Sequence, residues 1–195
     1  MTTTTSLMTR EQLATRIAEC ALLRGEFTLR SGRKSSYYID KYLFSTQPDI
    51  LHALGFMFAE RIATLEGECI TKLAGAELGG IPLVSAAAIA SGIPCLFIRN
   101  QKKDYGTAKQ LEGKLEATDK IVILEDVATT GGQVLEAAKV IEEKGAKVIA
   151  IIATIDRQEG ARENVEAAGY TFDALFTVED LGIEKEPLPP GRTPG

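Results

Sequence analysis

Residues 121–133 read IVILEDVATTGGQ, and their order decides how the rest of the chain is taken. The four apolar residues from Ile121 to Leu124 form a buried strand. Two adjacent carboxylates, Glu125 and Asp126, stand at its carboxyl end. Thr129, Thr130, Gly131 and Gly132 then make a turn of small residues, and Val134, Ala137, Ala138 and Ile141 mark the apolar face of a helix. Strand, acidic pair, turn and helix together make a site for a phosphorylated sugar. The turn offers backbone N–H groups and hydroxyls at a helix N-terminus, where the dipole favours a phosphate. Glycine lets the backbone approach the anion closely. Ionised carboxylates only accept hydrogen bonds, which suits the two adjacent hydroxyls of a ribose. The plain alternative is a strand–turn–helix whose turn does nothing but cap the helix.

Outward from this stretch the chain alternates. Strand-like apolar runs lie near 69–74, 94–99, 120–124 and 147–154, with a last one near 171–178. Helical patterns lie near 80–91, 132–144 and 158–168. The alternation predicts an α/β fold, a mainly parallel central sheet flanked by helices on both faces. In such sheets ligands gather at the carboxyl ends of the strands. Upstream, Thr9 and Gln12 have the spacing of a capping box, Leu13, Ile17 and Cys20 share a helix face, and Gly25 is expected to end that helix. Residues 26–44 read as short strands joined by a basic Ser/Gly turn, and a second helix is expected from Pro48, carrying Leu51, Leu54, Phe58, Ile62 and Leu65. Residues 1–8 are Thr-rich and residues 187–195 read PLPPGRTPG, so both are expected to be flexible tails. No repeat or linker divides the chain, and residues 1–195 are read as one domain.

Composition narrows the function. A chain of 195 residues, 45% hydrophobic and 25% charged, has the make-up of a globular protein with a sizeable core. A net charge of −5 argues against gripping nucleic acid over a broad surface, while a local basic cluster can still meet an anionic substrate. No apolar run has the length to cross a bilayer, and MTTTTSLMTR lacks the basic and apolar regions of a signal peptide. The expectation is a cytoplasmic protein with no membrane or nucleic-acid partner. Cys20, Cys69 and Cys95 are odd in number and scattered, which suits small apolar core residues in a reducing compartment. His52 sits in a helical pattern and reads as a surface or structural histidine.

Four further segments carry chemistry. Residues 25–40, GEFTLRSGRKSSYYID, set a basic turn beside aromatics, which can grip a planar anion or simply be a solvated face. Residues 98–113, IRNQKKDYGTAKQLEG, are a polar, glycine-containing loop after a strand, and loops of that length are usually functional or disordered. Residues 74–88, AGAELGGIPLVSAAA, feed a glycine-rich turn into a helix, where backbone amides can bind an anion. In residues 154–161, TIDRQEGA, Arg157 follows a strand end and can take a ligand carboxylate bidentately, or pair with Asp156 or Glu159.

The stretch 121–133 resembles the phosphoribosyl-diphosphate motif of type I phosphoribosyltransferases. The pattern Gly-x-Phe-x-Leu-x-Ser-Gly-x-x-Ser-x-Tyr-Tyr, from Gly25 to Tyr38, resembles the N-terminal signature of the orotate phosphoribosyltransferases. The resemblance implies the type I phosphoribosyltransferase fold, with a small N-terminal hood and a mobile catalytic loop over 100–112. It implies transfer of the phosphoribosyl group of 5-phosphoribosyl-1-diphosphate to orotate, giving orotidine 5′-monophosphate and diphosphate in pyrimidine biosynthesis. It puts Arg30, Tyr37, Tyr38, Thr129 and Arg157 at orotate. The family's loop pattern, Arg-Lys-x-x-Lys-Asp-His-Gly, is met at Arg99, Lys103, Asp104 and Gly106, while Asn100 replaces a lysine and Tyr105 a histidine. Lys103 is then the loop's catalytic cation, beside Arg99 and Asp126, with Lys102 and Tyr105 also at the sugar diphosphate. Glu77 and Leu78 hold the diphosphate in a turn where a non-proline cis peptide is expected, and Gly79 stands where some relatives carry a lysine. Glu125 and Asp126 hold the ribose, and Val127, Ala128, Thr129, Thr130, Gly131, Gly132 and Gln133 hold the 5-phosphate. Mg²⁺ is implied on the substrate diphosphate without a firm protein ligand, Asp126 reaching it through water. The resemblance also implies a homodimer in which each loop lysine serves the partner's site, and a functional link to a separate orotidylate decarboxylase. The rivals are a phosphoribosyltransferase for another base and a non-enzymatic regulator on the same fold.

Overall fold

A computed structural model describes residues 8–28, 34–65, 67–100 and 110–183. Thr9 caps α1 (Arg10–Ala21): its hydroxyl accepts from the Gln12 N–H, and the Gln12 side chain accepts from the Thr9 N–H. The helix buries Leu13, Ala14, Ile17 and Ala21. It ends before Gly25, because Leu22 turns extended and the chain runs straight into β1 (Leu22–Thr28). Gly25 lies instead inside β1, where the register with β2 (Lys34–Ile39) slips between Arg24 and Phe27. These two antiparallel strands form a ribbon separate from the main sheet, in the place expected for the hood.

The expected strand run to residue 44 is cut short at Asp40. Its side chain accepts from the Tyr42 N–H and caps a short helix, α2 (Lys41–Ser45). The next helix, α3 (Pro48–Ala63), opens on the expected proline, whose missing N–H costs nothing in a first turn. Ile50, Ala53, Leu54, Phe58 and Ile62 form its buried side.

From there the alternation holds. In order come β3 (Lys72–Ala76), α4 (Gly80–Ser91), β4 (Cys95–Ile98), β5 (Leu111–Glu112), β6 (Lys120–Ala128), α5 (Gly132–Glu142), β7 (Lys147–Asp156), α6 (Ala161–Ala167) and β8 (Thr171–Thr177). The sheet runs β5-β4-β3-β6-β7-β8, and every neighbouring pair is parallel except β4 with β5. From β3 the chain moves outward to β4 on one side, and from β6 to β7 on the other. The order therefore reverses between β3 and β6, which opens a crevice at their carboxyl ends.

Both faces of the sheet are covered. Val122 and Leu124 of β6 join a core with α1, α3 and α4, while Ile121 and Ile123 join a second core with α5 and Val165 of α6. Period-two alternation along β6 sorts them. Met8 of the expected N-terminal tail packs against the first core. Cys20 and Cys95 also pack there, but Cys69 is exposed, so it is not the core residue expected of it. His52 lies edge-on to Phe56 on α3, ring centroids 5.1 Å apart. The remaining expected tail residues, Arg30, and the loop residues Lys102, Lys103 and Tyr105 lie outside the described residues.

Candidate active site

The first wall of the crevice is built at the end of β6. Gly131 takes φ +79°, and a Cβ there would press on Val165, so only glycine fits this bend. It serves as N-cap of α5 with no side-chain cap bond, which leaves the first amides of the helix for a ligand. Asn164 donates to the Thr130 carbonyl at 2.9 Å and steadies the turn from α6. Glu125, Val127, Ala128, the run Thr129 to Val134, Arg157 and Glu159 line an open cleft of about 460 Å³.

The acidic pair divides. The strand does not stop at Leu124: Glu125, Val127 and Ala128 pair with Ala153, Ile155 and Asp156 of β7, and the ladder carries both carboxylates inside β6. Neighbours in a strand face opposite ways. Glu125 thus lines the cleft, while the Asp126 side chain turns to α2, where Lys41 Nζ lies 2.8 Å from its Oδ2. The two carboxylates do not stand side by side as the sequence suggested. Burial pushes the Glu125 carboxyl up from an ordinary 4.5 to about 8, the charge of Asp126 adds to the rise, and Lys41 opposes it. For Lys41 burial works downward, but Asp126 outweighs it and the net movement is upward.

The raised carboxyl has a consequence for stability. Between about pH 5 and 8 the folded chain keeps a proton on Glu125 that the unfolded chain has released. Stability therefore falls as pH rises through this window, by up to about 1.4 kcal/mol per unit. Glu125→Gln, which cannot ionise, should lack this loss. Denaturant unfolding of both proteins from pH 4.5 to 8.5 should give a gap that widens with pH in the variant's favour; a constant gap would mean Glu125 ionises normally.

The second wall is built at the end of β7. The Arg157 backbone N–H donates to the Ala128 carbonyl at 2.9 Å, tying the two strand ends together. The Arg157 side chain is 7% exposed. Its guanidinium stacks on the ring of Tyr37 at 4.8 Å, and Nε lies 3.0 Å from Glu159 Oε1. That ion pair lacks hydrogen-bond alignment, and the buried Nη2 has no hydrogen-bond partner among the described residues. Alternation in β2 separates the aromatic pair: Tyr37 is buried against Arg157, while Tyr38 is exposed with its ring 5.7 Å from Phe27. Only Tyr37 of the two meets Arg157.

The third wall is the turn after β3. The Glu77–Leu78 peptide is cis, at the position the resemblance indicates. Glu77 Oε1 accepts from the Asn100 N–H at 2.8 Å, and Asn100 Nδ2 donates to the Glu77 carbonyl at 3.1 Å. Gln133 Nε2 donates to Asn100 Oδ1 at 3.0 Å. Asn100 thus links the turn, the start of the loop and the first turn of α5. Arg99 donates its backbone N–H to Gln110 at 2.8 Å, and its side chain lies 3.8 Å from Glu112 of β5, outside the cleft lining. Lys41 and the linking role of Asn100 were missed from sequence. A lone lysine after a strand has no pattern, and Asn100 was read only as a lost cation.

Among the described residues, no three His, Cys, Asp or Glu side chains converge as a resident metal site. The acid facing the cleft is Glu125, with Asp126 behind it. That donor set fits Mg²⁺ once the Glu125 proton is displaced, since Mg²⁺ takes one or two carboxylates and substrate phosphate oxygens while keeping waters.

A helix start capped by glycine, a cis turn and an acidic strand meet at this crevice, and the chain belongs to the phosphoribosyltransferase family: the model of the phosphoribosyl transferase domain matches residues 44–181. Within it the chain falls among the orotate phosphoribosyltransferases. It is 43% identical over 157 residues to the orotate phosphoribosyltransferase of Natronomonas pharaonis, covering 80% of this chain and 87% of that one. It is 42% identical over 173 residues to that of Methanocaldococcus jannaschii, covering 88% and 96%. The crystal structure of Mycobacterium tuberculosis orotate phosphoribosyltransferase in complex with 5-phospho-alpha-D-ribosyl 1-diphosphate superposes with a TM-score of 0.75 at 28% identity, over 89% of this chain and 99% of that one.

Proposed function

We infer that this chain transfers the phosphoribosyl group of 5-phosphoribosyl-1-diphosphate to orotate, giving orotidine 5′-monophosphate and diphosphate, a step of pyrimidine biosynthesis. One observation carries the choice of base: a buried guanidinium, stacked on Tyr37, keeps Nη2 without a hydrogen-bond partner among the described residues, at a cleft that already has a phosphate end. An orotate carboxylate satisfies it; hypoxanthine and uracil have no such group.

Orotate gives its N1 proton to solvent on binding among the site's cations; the C1–O bond to diphosphate then breaks as the N1 electron pair forms the new C1–N bond, and the C–O electron pair leaves with diphosphate. The ribose passes through an oxocarbenium-like state, so neutralising the leaving group matters more than a strong base. Thr129 to Gln133 hold the 5-phosphate, Glu125 and Asp126 serve the ribose, and Glu77 and Leu78 face the diphosphate. Arg157, Tyr37 and Thr129 position orotate, whose own nitrogen attacks once aligned. Arg30 and Tyr38 belong to the same proposal, as do Arg99, Lys102, Lys103 and Tyr105 at the diphosphate. Mg²⁺ carried on the substrate diphosphate supplies further positive charge when bound. The whole chain works as one domain in a cytoplasmic homodimer. The product still carries the orotate carboxyl group, so a decarboxylase is the class of enzyme that would take it next.

Orotate consumption, followed with and without the diphosphate sugar and Mg²⁺, tests the reading. Turnover needing all three supports it. Turnover of hypoxanthine, adenine or uracil with orotate inert would move the chain to another base, and binding of the sugar without turnover of any base would make it a regulator.

A further inference from the structure

Lys41 lies outside every segment that the sequence marks as functional. It opens α2, and its Nζ lies 2.8 Å from Asp126 Oδ2. The same oxygen rests on Gly79: a Cβ built at residue 79 would overlap Asp126 Oδ2. The other carboxylate oxygen, Oδ1, accepts from the Val127 N–H at 2.6 Å. Lys41 Nζ therefore stands where α2, the turn through residue 79 and the acidic strand meet. With the 5-phosphate on Thr129 to Gln133 and the diphosphate on the turn, this junction is the C1 end of the ribose. The two partners are unequally sheltered, with side-chain exposure of 30% for Lys41 and 5% for Asp126. The ammonium thus meets a buried carboxylate on one side and lies 5.6 Å from the centroid of the Tyr42 ring, on a side chain that keeps part of its surface exposed.

We propose that Lys41 is a further binding residue for the sugar substrate, holding Asp126 in the ligand-free chain and passing to the diphosphate when Asp126 turns to the ribose. The proposal rests on the reading of this crevice as a phosphoribosyl-diphosphate site. A lysine suits such an exchange, since its compact charge and three donors ride on a flexible stem and can change partner without a fixed fork geometry. A diphosphate carries more charge than one carboxylate and draws the ammonium over. The side chain at position 79 cannot supply a cation in this arrangement, because Asp126 fills its space.

The test compares two ligands that share the ribose and the 5-phosphate and differ in the diphosphate. Calorimetric titration in Mg²⁺ buffer with 5-phosphoribosyl-1-diphosphate and with ribose 5-phosphate is run on wild type, Lys41→Gln, Lys41→Ala and Lys41→Arg, recording each melting temperature. Lys41→Gln and Lys41→Ala should bind the diphosphate sugar about ten-fold more weakly or worse, the cost of a lost charged hydrogen bond. They should bind ribose 5-phosphate within about two-fold of wild type, or more tightly as Asp126 is freed. Lys41→Arg should keep most of the diphosphate affinity. An equal loss for both ligands, or no loss for the diphosphate sugar in whichever charge-removing variant folds, overturns the proposal. A wild type that binds neither sugar overturns the reading of the crevice as well.

Discussion

Replacing Arg157 with alanine should raise the KM for orotate about 30-fold or more while the KM for the diphosphate sugar stays within a few-fold. The guanidinium is buried, stacked on Tyr37, and has a nitrogen without a hydrogen-bond partner among the described residues. Truncating such a group leaves a ligand carboxylate buried and unpaired, and that penalty makes up much of the cost. Arg157→Lys should recover little, because an ammonium neither forks to two carboxylate oxygens nor stacks flat on a phenol ring. Steady-state kinetics with each substrate varied in turn decides it. A parallel rise in both KM values would instead make Arg157 a tie between β7 and the β1–β2 ribbon, with no role in base choice.

Lys103→Ala and Asp126→Asn should each cut turnover by about 10²–10³-fold, the usual cost of losing one group that stabilises developing charge. Mixed after subunit exchange, the two inactive proteins should recover up to about a quarter of wild-type activity. Half of the dimers are then mixed, and one of their two sites receives an intact lysine and an intact aspartate if the loop reaches across. No recovery after verified exchange would mean each site is built from one chain. Asp126→Asn should also leave the acid limb of the pH–rate profile in place, because orotate N1 beside these cations needs no general base. Loss of that limb with sugar binding intact would make Asp126 the base.

The parallel α/β order, the turn after β6 and the basic residue after β7 were legible in the sequence because each is a local pattern: an apolar run, a Thr/Gly turn, an Arg at a strand end. What escaped depended on partners distant in the chain. The β6 strand was cut at Leu124 because carboxylates break an apolar run, yet pairing with Ala153 to Asp156 carries it through to Ala128. For the same reason Glu125 and Asp126, like Tyr37 and Tyr38, read as pairs in the sequence, while strand alternation sends each partner a different way. The strand β5 has two residues, too few for a periodic signal. Gly25 looked like a helix stop and is a strand bulge. The contact of Lys41 with Asp126 joins segments with no shared pattern.

The ribbon of β1 and β2 shares no ladder with the six-stranded sheet. Contacts made from the ribbon can therefore change without breaking a ladder of that sheet. The ribbon supplies Tyr37 to the Arg157 stack, whereas the turn after β6 and the cis turn after β3 are anchored in the sheet. Under the proposed function, a substitution in the ribbon reaches the base-binding guanidinium through the Arg157–Tyr37 stack, where the separate ribbon touches the end of β7.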